Sequence, residues 1–223
     1  GAYALQAHNH GAGILLGGAA GVPAAEVLVI GGGVVGTNAA KMALGLGARV
    51  TIVDRSLQRL GELDDLFGGQ LNTVYSTQDA IAEWSTRADL IVGAVLIPGA
   101  AAPKLITRPM LRTLKPGSVL VDVAIDQGGC FETSKPTTHD APTYVVDDIV
   151  HYCVANMPGG VPRTSALALN NATLPYIEKL AEKDLCQLLR EDDNFANGLN
   201  IWQGQVVHPA VANAFQLKYA QPR

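Results

Sequence analysis

The stretch "VLVIGGGVVGTNAA", residues 27–40, constrains this chain more than any other. An apolar run rich in β-branched residues ends in three consecutive glycines and resumes with small and apolar residues, the pattern of a buried strand handing over to a helix. Gly31, Gly33 and Gly36 fit G-x-G-x-x-G at that junction. The first glycine permits a tight turn, the second lets a pyrophosphate approach bare backbone, and the third lets helix pack closely on strand. A helix beginning near Val34 would aim its free N–H groups and positive dipole end at the phosphates. Glycine-rich turns also arise for packing alone, so the fingerprint takes its weight from context: a strand before, a helix after, and an acidic residue closing the next strand. That residue is Asp54, at the end of "VTIVD". Its carboxylate suits the adenosine ribose hydroxyls and repels a 2′-phosphate, so NAD is expected over NADP, although Arg55 beside it offers a phosphate a partner. The plainer use of Asp54 is as a helix N-terminal charge next to Ser56.

Composition narrows the classes. At 223 residues, 48% hydrophobic and 16% charged, the chain can bury one large domain, or a smaller one with an appendage. No apolar stretch approaches the ~18 uninterrupted residues of a membrane span, so a soluble protein is expected. The net charge of -4, with Lys and Arg scattered, argues against nucleic acid and towards small ligands. The three cysteines, Cys130, Cys153 and Cys186, are widely spaced with no CxxC, which fits a reducing, cytoplasmic compartment. No metal is expected: His151 and Cys153 are near neighbours on one strand, and His8, His10, His139 and His208 have no convergent partners in the sequence. The opening "GAYALQAHN" reads as the tail of a helix already under way, so the N-terminus is expected to be cut.

After "GAGILLGGAAGVPAAE", short apolar runs alternate with helical patterns, as in βαβ units. Strands are expected near 27–31, 49–53, 71–75, 89–92, 118–123 and 143–146, and helices near 34–46, 56–67, 77–86 and 107–113. Ser56 and Thr77 are expected to cap two of these helices, and Pro116-Gly117 to turn the chain into the fifth strand. The strands are continuous apolar runs, which predicts a doubly wound, Rossmann-type parallel α/β sheet with helices on both faces. From about Pro162 the pattern becomes one long helix, "RTSALALNNATLPYIEKLAEKDLCQLLRED", then a Gly- and Asn-rich turn and a closing helix near 209–216, with no strand to pair. Two parts follow: a dinucleotide-binding domain over 1–161 and a helical C-terminal segment over 162–223.

Further candidates lie where the later strands end. In "DLIVGAVLIPGAAAPKLIT", Val95 and Leu96 either pack on a cofactor or merely close the sheet. "VLVDVAIDQGGCFE" carries two carboxylates beside a glycine pair. The carboxyl ends of the strands face the ligand in an open α/β sheet, so Asp126 is the candidate proton-transfer or orienting group and Asp122 the structural one. The bland alternative for Asp126 is a turn-former. In "HYCVANMPGGVPRTS", Asn156 can bind a cofactor hydroxyl or carboxamide and Met157 can lie against a flat ring, unless Asn156 only caps a turn before Pro158-Gly159.

Together "VIGGGVVGTNAAKMALGLGARVTIVDRS", "LDDLFGG", "ADLIVGAVLIPGAAAPKLIT", "VDVAIDQGGCFETSKPTTH" and "HYCVANMPGGVPRTS" closely resemble the L-alanine dehydrogenases over essentially the whole chain. The resemblance implies interconversion of L-alanine with pyruvate and ammonia, hydride transfer to and from NAD, and a cytoplasmic homohexamer built from a Rossmann domain and a substrate domain. It also implies cofactor contacts at the glycine loop with Val34 and Val35, at Asp54, at Arg59 and Ser76 on the adenine side, and at Val95 and Leu96. The catalytic Asp of the family falls on Asp126, flanked by Ile125, with Asn156 and Met157 near the nicotinamide end. Read from residues alone, Arg59 is a solvated helix charge and Ser76 a strand-end cap. The family's substrate-binding region, with a catalytic His, a Lys and an Arg, is expected ahead of Gly1, and the segment after Pro162 to belong to that incomplete substrate domain. The expected function is therefore an alanine dehydrogenase portion with little turnover alone; the alternative is a stand-alone, non-catalytic NAD-binding module.

Overall fold

Short β-branched runs become a seven-stranded sheet in the computed structural model, which describes residues 1–95 and 102–221. The strands are β1 (Glu26–Ile30), β2 (Arg49–Asp54), β3 (Asn72–Tyr75), β4 (Leu90–Gly93), β5 (Val119–Asp122), β6 (Thr143–Val146) and β7 (Ile149–Tyr152), in the order β3-β2-β1-β4-β5-β7-β6. Four helices accompany them: α1 (Val34–Gly45), α2 (Leu57–Phe67), α3 (Gln78–Arg87) and α4 (Arg108–Leu111). Successive side chains of β1 enter opposite faces. Val27 and Val29 join Val50, Ile52, Ala40, Ala43 and Leu63 in one core cluster, while Leu28 and Ile30 join Val53, Ile81, Ile91, Leu111 and Leu120 in another. Burial on both faces explains why these strands do not alternate in polarity, and each fully buried Leu or Ile contributes roughly 1.5–3 kcal/mol.

The strand order reverses between β1 and β4, both of which run parallel to their neighbours. This opens a crevice at the carboxyl ends of the strands. The helix starts follow local chemistry: Ser56 Oγ accepts the N–H of Arg59 at 3.2 Å and Thr77 Oγ1 accepts that of Ala80 at 3.0 Å.

The sheet is not wholly parallel, as the apolar runs suggest. β6 pairs antiparallel with β7 at the edge, because Asp147 and Asp148 take φ of 49° and 62° and close a two-residue hairpin turn. The opening residues also differ from the expected helix tail. They form hydrogen-bonded turns leading to a 3-10 helix, Ala7–Asn9, and the N–H groups of Gly13 and Ile14 return to the carbonyl of Leu5 at 2.8 and 3.4 Å. His10, at φ 65°, makes that reversal, and Leu5 is buried by it.

Among the described residues, 1–95 and 102–157 form one compact unit and 158–221 another. The second contains α5 (Pro162–Glu182), α6 (Leu185–Glu191), α7 (Asp193–Asn197), the hairpin β8 (Ile201–Trp202) and β9 (Gln205–Val206), and α8 (Pro209–Phe215). The expected single long helix breaks after Glu182: Lys183 is extended and Asp184 starts a new helix by accepting the N–H of Gln187 at 3.1 Å. The expected strandless turn holds a hairpin, because Gln203 and Gly204 adopt φ of 46° and 78°. No helix among the described residues is long and apolar enough to cross a membrane.

Candidate functional site

The glycine turn explains its own composition. Gly31 has φ 102°, a region costly for other residues, and a Cβ there would lie 2.8 Å from the carbonyl oxygen of Ala94 and 3.1 Å from Val95 Cγ2. A Cβ on Gly36 would come within 1.8 Å of the Gly31 carbonyl oxygen, so helix and turn approach too closely for any side chain. Gly33 differs from both. Its φ of -67° and ψ of -166° suit any residue, and a Cβ there would meet nothing within 4 Å. Among the described residues, no contact demands glycine at the residue that caps α1. Beside it Val34 and Val35 are exposed on the first turn, Val34 to 79%.

Charged side chains from β2 and α2 hold Gly32 by both of its peptide groups. Asp54 Oδ2 accepts the Gly32 N–H at 2.7 Å, while its Oδ1 accepts that of Ser56 at 2.8 Å. Arg59 Nε donates to the Gly32 carbonyl at 2.7 Å, Nη2 to Thr37 Oγ1 at 2.9 Å and Nη1 to Glu62 at 2.7 Å. Arg59 is thus not the solvated helix charge its place in the sequence suggests. Ser76 follows β3, and its N–H is bonded to the Asp54 carbonyl at 2.9 Å. Thr37, which the sequence reading passes over, ties Arg59 to α1 and also donates to the Gly33 carbonyl at 2.8 Å.

Across the crevice, β4 leads to half-buried Val95; Leu96 lies outside the described residues. β5 leads to a 3-10 turn, Ile125–Gln127, in which Ile125 is buried and Asp126 exposed. Asp122, at the end of β5, is wholly buried and accepts the N–H of Cys130 at 2.8 Å. β7 leads to exposed Asn156 and half-buried Met157, and the Asn156 carbonyl is bonded to His139 Nε2 at 2.6 Å. Because β1, β2, β3, β4, β5 and β7 run parallel, all these residues follow strand ends on one edge of the sheet. The turn brings Gly31, Gly32, Asp54, Arg59, Ser76 and Val95 together, while Asp126 and Asn156 follow neighbouring strands further along.

Several groups behind this edge are shifted by burial. The Cys130 thiol is pushed up to about 11 by burial, with the Asp122 charge adding to it, and burial also raises the Cys153 thiol and the Tyr144 phenol. His151 is lowered by burial, with one ring nitrogen 2.7 Å from Thr133 Oγ1 and the other 3.0 Å from the Ile149 carbonyl. Lys104, absent from the sequence candidates, donates to the carbonyls of Gly128 and Gly129, a pairing across 24 or 25 positions that no local pattern announces. Among the described residues no group of three or more His, Cys, Asp or Glu is arranged to hold a metal ion.

Chemically, an open helix N-terminus, a bare backbone approach and a carboxylate beside it suit a diphosphate joined to a ribose. Residues 1–209 match the family described as alanine dehydrogenase/PNT, C-terminal domain. The alanine dehydrogenase of Halomonas elongata is 63% identical over 221 residues, covering 99% of this chain and 60% of its own length. A solved L-alanine dehydrogenase shares the fold with a TM-score of 0.89 at 50% identity, over 97% of this chain and 60% of that one. A transhydrogenase from Sinorhizobium meliloti follows at TM-score 0.67 and 29% identity, over 85% of this chain and 51% of its own. The chain spans about 60% of the length of the alanine dehydrogenases it matches.

Proposed function

The chain belongs to the alanine dehydrogenase/PNT C-terminal domain family, and from that premise we propose that it is the NAD-binding and C-terminal portion of an L-alanine dehydrogenase. The reaction is oxidative deamination of L-alanine to pyruvate and ammonia, and its reverse. The observation that supports the coenzyme reading is Gly33: its conformation suits any residue and, among the described residues, a Cβ there would meet nothing within 4 Å, so a pyrophosphate has room to approach its backbone. The helix dipole and free N–H groups of α1 receive the pyrophosphate there. Asp54 suits the ribose hydroxyls of NAD and repels the extra phosphate of NADP. Val34, Val35, Ser76 and Val95 line the coenzyme, Arg59 acts beside them through Gly32, and Ile125, Asn156 and Met157 serve the nicotinamide end.

When bound, NAD supplies the hydride-accepting ring. Asp126 supports the proton transfers that accompany deamination, as an exposed carboxylate on a turn directly after β5. We read residues 1–161 as the coenzyme domain and 162–223 as part of the substrate domain. The intact enzyme is read as a cytoplasmic homohexamer, on family likeness alone, which light scattering of the whole enzyme tests.

The deciding experiment titrates the 223-residue chain with NADH and NADPH by fluorescence. It then follows alanine-dependent reduction of NAD at alkaline pH in a polypeptide that also carries the family's substrate-binding region. Expected are a preference for NADH of at least about tenfold and a loss of about 100-fold or more in turnover in Asp126→Asn. Absence of NADH binding overturns the coenzyme reading, and undiminished turnover in the variant overturns the role of Asp126.

A further inference from the structure

The segment carrying Asp126 hangs from a buried carboxylate that the proposed reaction leaves unused. Asp122 is fully buried, and its Oδ1 accepts the N–H of Ala124 at 3.2 Å. Its Oδ2 accepts the N–H groups of Cys130 at 2.8 Å and Phe131 at 3.3 Å, and the hydroxyl of Ser134 at 2.5 Å. The donors lie on both sides of Asp126 in the chain, so one carboxylate closes the whole segment into a loop. Four donors on a buried carboxylate also satisfy a charge that would otherwise be costly to bury.

The glycine pair within the loop fits this anchor. Gly128 and Gly129 have φ of 85° and 76°, and a Cβ on Gly129 would lie 2.6 Å from Asp122 Oδ2. Lys104 Nζ holds the opposite polarity of the same loop, donating to the carbonyls of Gly128 and Gly129.

The frame continues to the next strand end. Tyr144 Oη donates to the Thr133 carbonyl at 2.9 Å and accepts the N–H of Lys135 at 2.8 Å. The Thr137 N–H donates to the Cys153 carbonyl at 2.9 Å, the Ala155 N–H to the Thr137 carbonyl at 3.3 Å, and His139 Nε2 lies 2.6 Å from the Asn156 carbonyl. The stretch from Ser134 to His139 therefore runs from the Asp122 anchor to the backbone of Asn156.

We infer that Asp122 is a positioning residue: through the Cys130 and Phe131 amides and the Ser134 hydroxyl it fixes Asp126 relative to Asn156 and so shapes the subsite for the nicotinamide half of the coenzyme. This rests on the reading of that edge as the nicotinamide end. The adenosine half is served by Asp54 on β2, three strands away from β5 in the sheet order, and is independent of the anchor.

The test titrates the chain with NADH and with ADP, for the native sequence, Asp122→Asn and Ser134→Ala, and records the emission of bound NADH. Expected in Asp122→Asn are ADP affinity within about twofold of native, NADH affinity at least tenfold weaker, and emission moved towards that of free NADH. Ser134→Ala moves both NADH readouts in the same direction by a smaller factor, and decides the matter alone if Asp122→Asn does not fold. Native NADH affinity and emission in the folded variants overturn the inference, as does a parallel loss of ADP and NADH affinity, which marks a general loss of structure. Failure of the underlying reading looks different: the native chain itself then binds NADH no better than ADP and with no change in emission, and the inference falls with it.

Discussion

The Asp54 carboxylate accepts the backbone N–H of Gly32 at 2.7 Å, so the acid that ends β2 also closes the turn that ends β1. One side chain thus links the ribose preference to the shape of the phosphate loop. Asp54→Asn removes the charge and half of the acceptor capacity. Hydrogen bonds to charged groups are worth about 1.5–3 kcal/mol, so NADH affinity is expected to fall by about 10- to 100-fold. Discrimination against NADPH should narrow as well. Fluorescence titration with both coenzymes measures the two effects, and native NADH affinity in the variant would remove Asp54 from the site.

Gly33→Ala and Gly36→Ala should part company. The first adds a methyl group where nothing lies within 4 Å and should keep the fold to within about 1 kcal/mol while weakening NADH severely. The second forces a methyl group against the Gly31 carbonyl oxygen and should lower the unfolding free energy by about 3 kcal/mol or more, as severe steric insertions do. Urea unfolding beside NADH titration separates them, and equal destabilisation by both would refute the ligand explanation of Gly33.

Arg59→Lys keeps a cation but loses the fork that reaches Gly32 and Thr37 at 2.7 and 2.9 Å. A loosened turn should weaken NADH by about tenfold, roughly 1.4 kcal/mol. Because the guanidinium acts through the Gly32 carbonyl, the loss should extend to ADP. A variant that binds ADP normally would contradict this arrangement.

Stability should fall on mild acidification, and His151 should contribute to it. Burial lowers its affinity for a proton in the folded chain, against weaker opposing effects of the Ile149 carbonyl and the Asp122 charge. The unfolded chain therefore binds more protons as pH drops below about 6.5, and the stability present above that value is progressively lost. Urea midpoints at pH 7.5 and 5 should differ less in His151→Asn than in the native sequence. An unchanged difference would show that the imidazole does not couple to folding.

Thiol labelling should be selective. Cys130, raised to about 11, and Cys153 are buried, whereas Cys186 is exposed. At pH 8 a disulfide reagent should modify Cys186 rapidly and the other two only on unfolding. Rapid reaction of the folded Cys186→Ser variant would mean that the edge beneath Asp126 opens readily.

Legibility in the sequence followed the range of the interactions. The glycine turn, the caps at Ser56 and Thr77 and the run of parallel strands depend on neighbours within a few positions, and all could be read from residues in order. The β8–β9 hairpin is also locally encoded, in the two-residue turn at Gln203-Gly204, although the Gly- and Asn-rich composition reads as a turn without strands. The edge strand at 143–146 is legible as a strand, but its antiparallel pairing is not, since the Asp147-Asp148 turn carries no glycine to advertise a positive φ.

What the sequence determined by itself is the strand-to-helix turn, its acidic partner at Asp54 and the family, because these rest on local backbone chemistry and on residue order. Tertiary structure alone decided that Arg59 grips Gly32 from 27 positions away, that Lys104 reaches the Gly128 and Gly129 carbonyls, and that buried Asp122 gathers donors on both sides of Asp126. Arg59 and Lys104 are charges satisfied by backbone groups distant in the chain, and Asp122 gathers donors that no local pattern aligns, so only folding brings these groups within hydrogen-bonding distance.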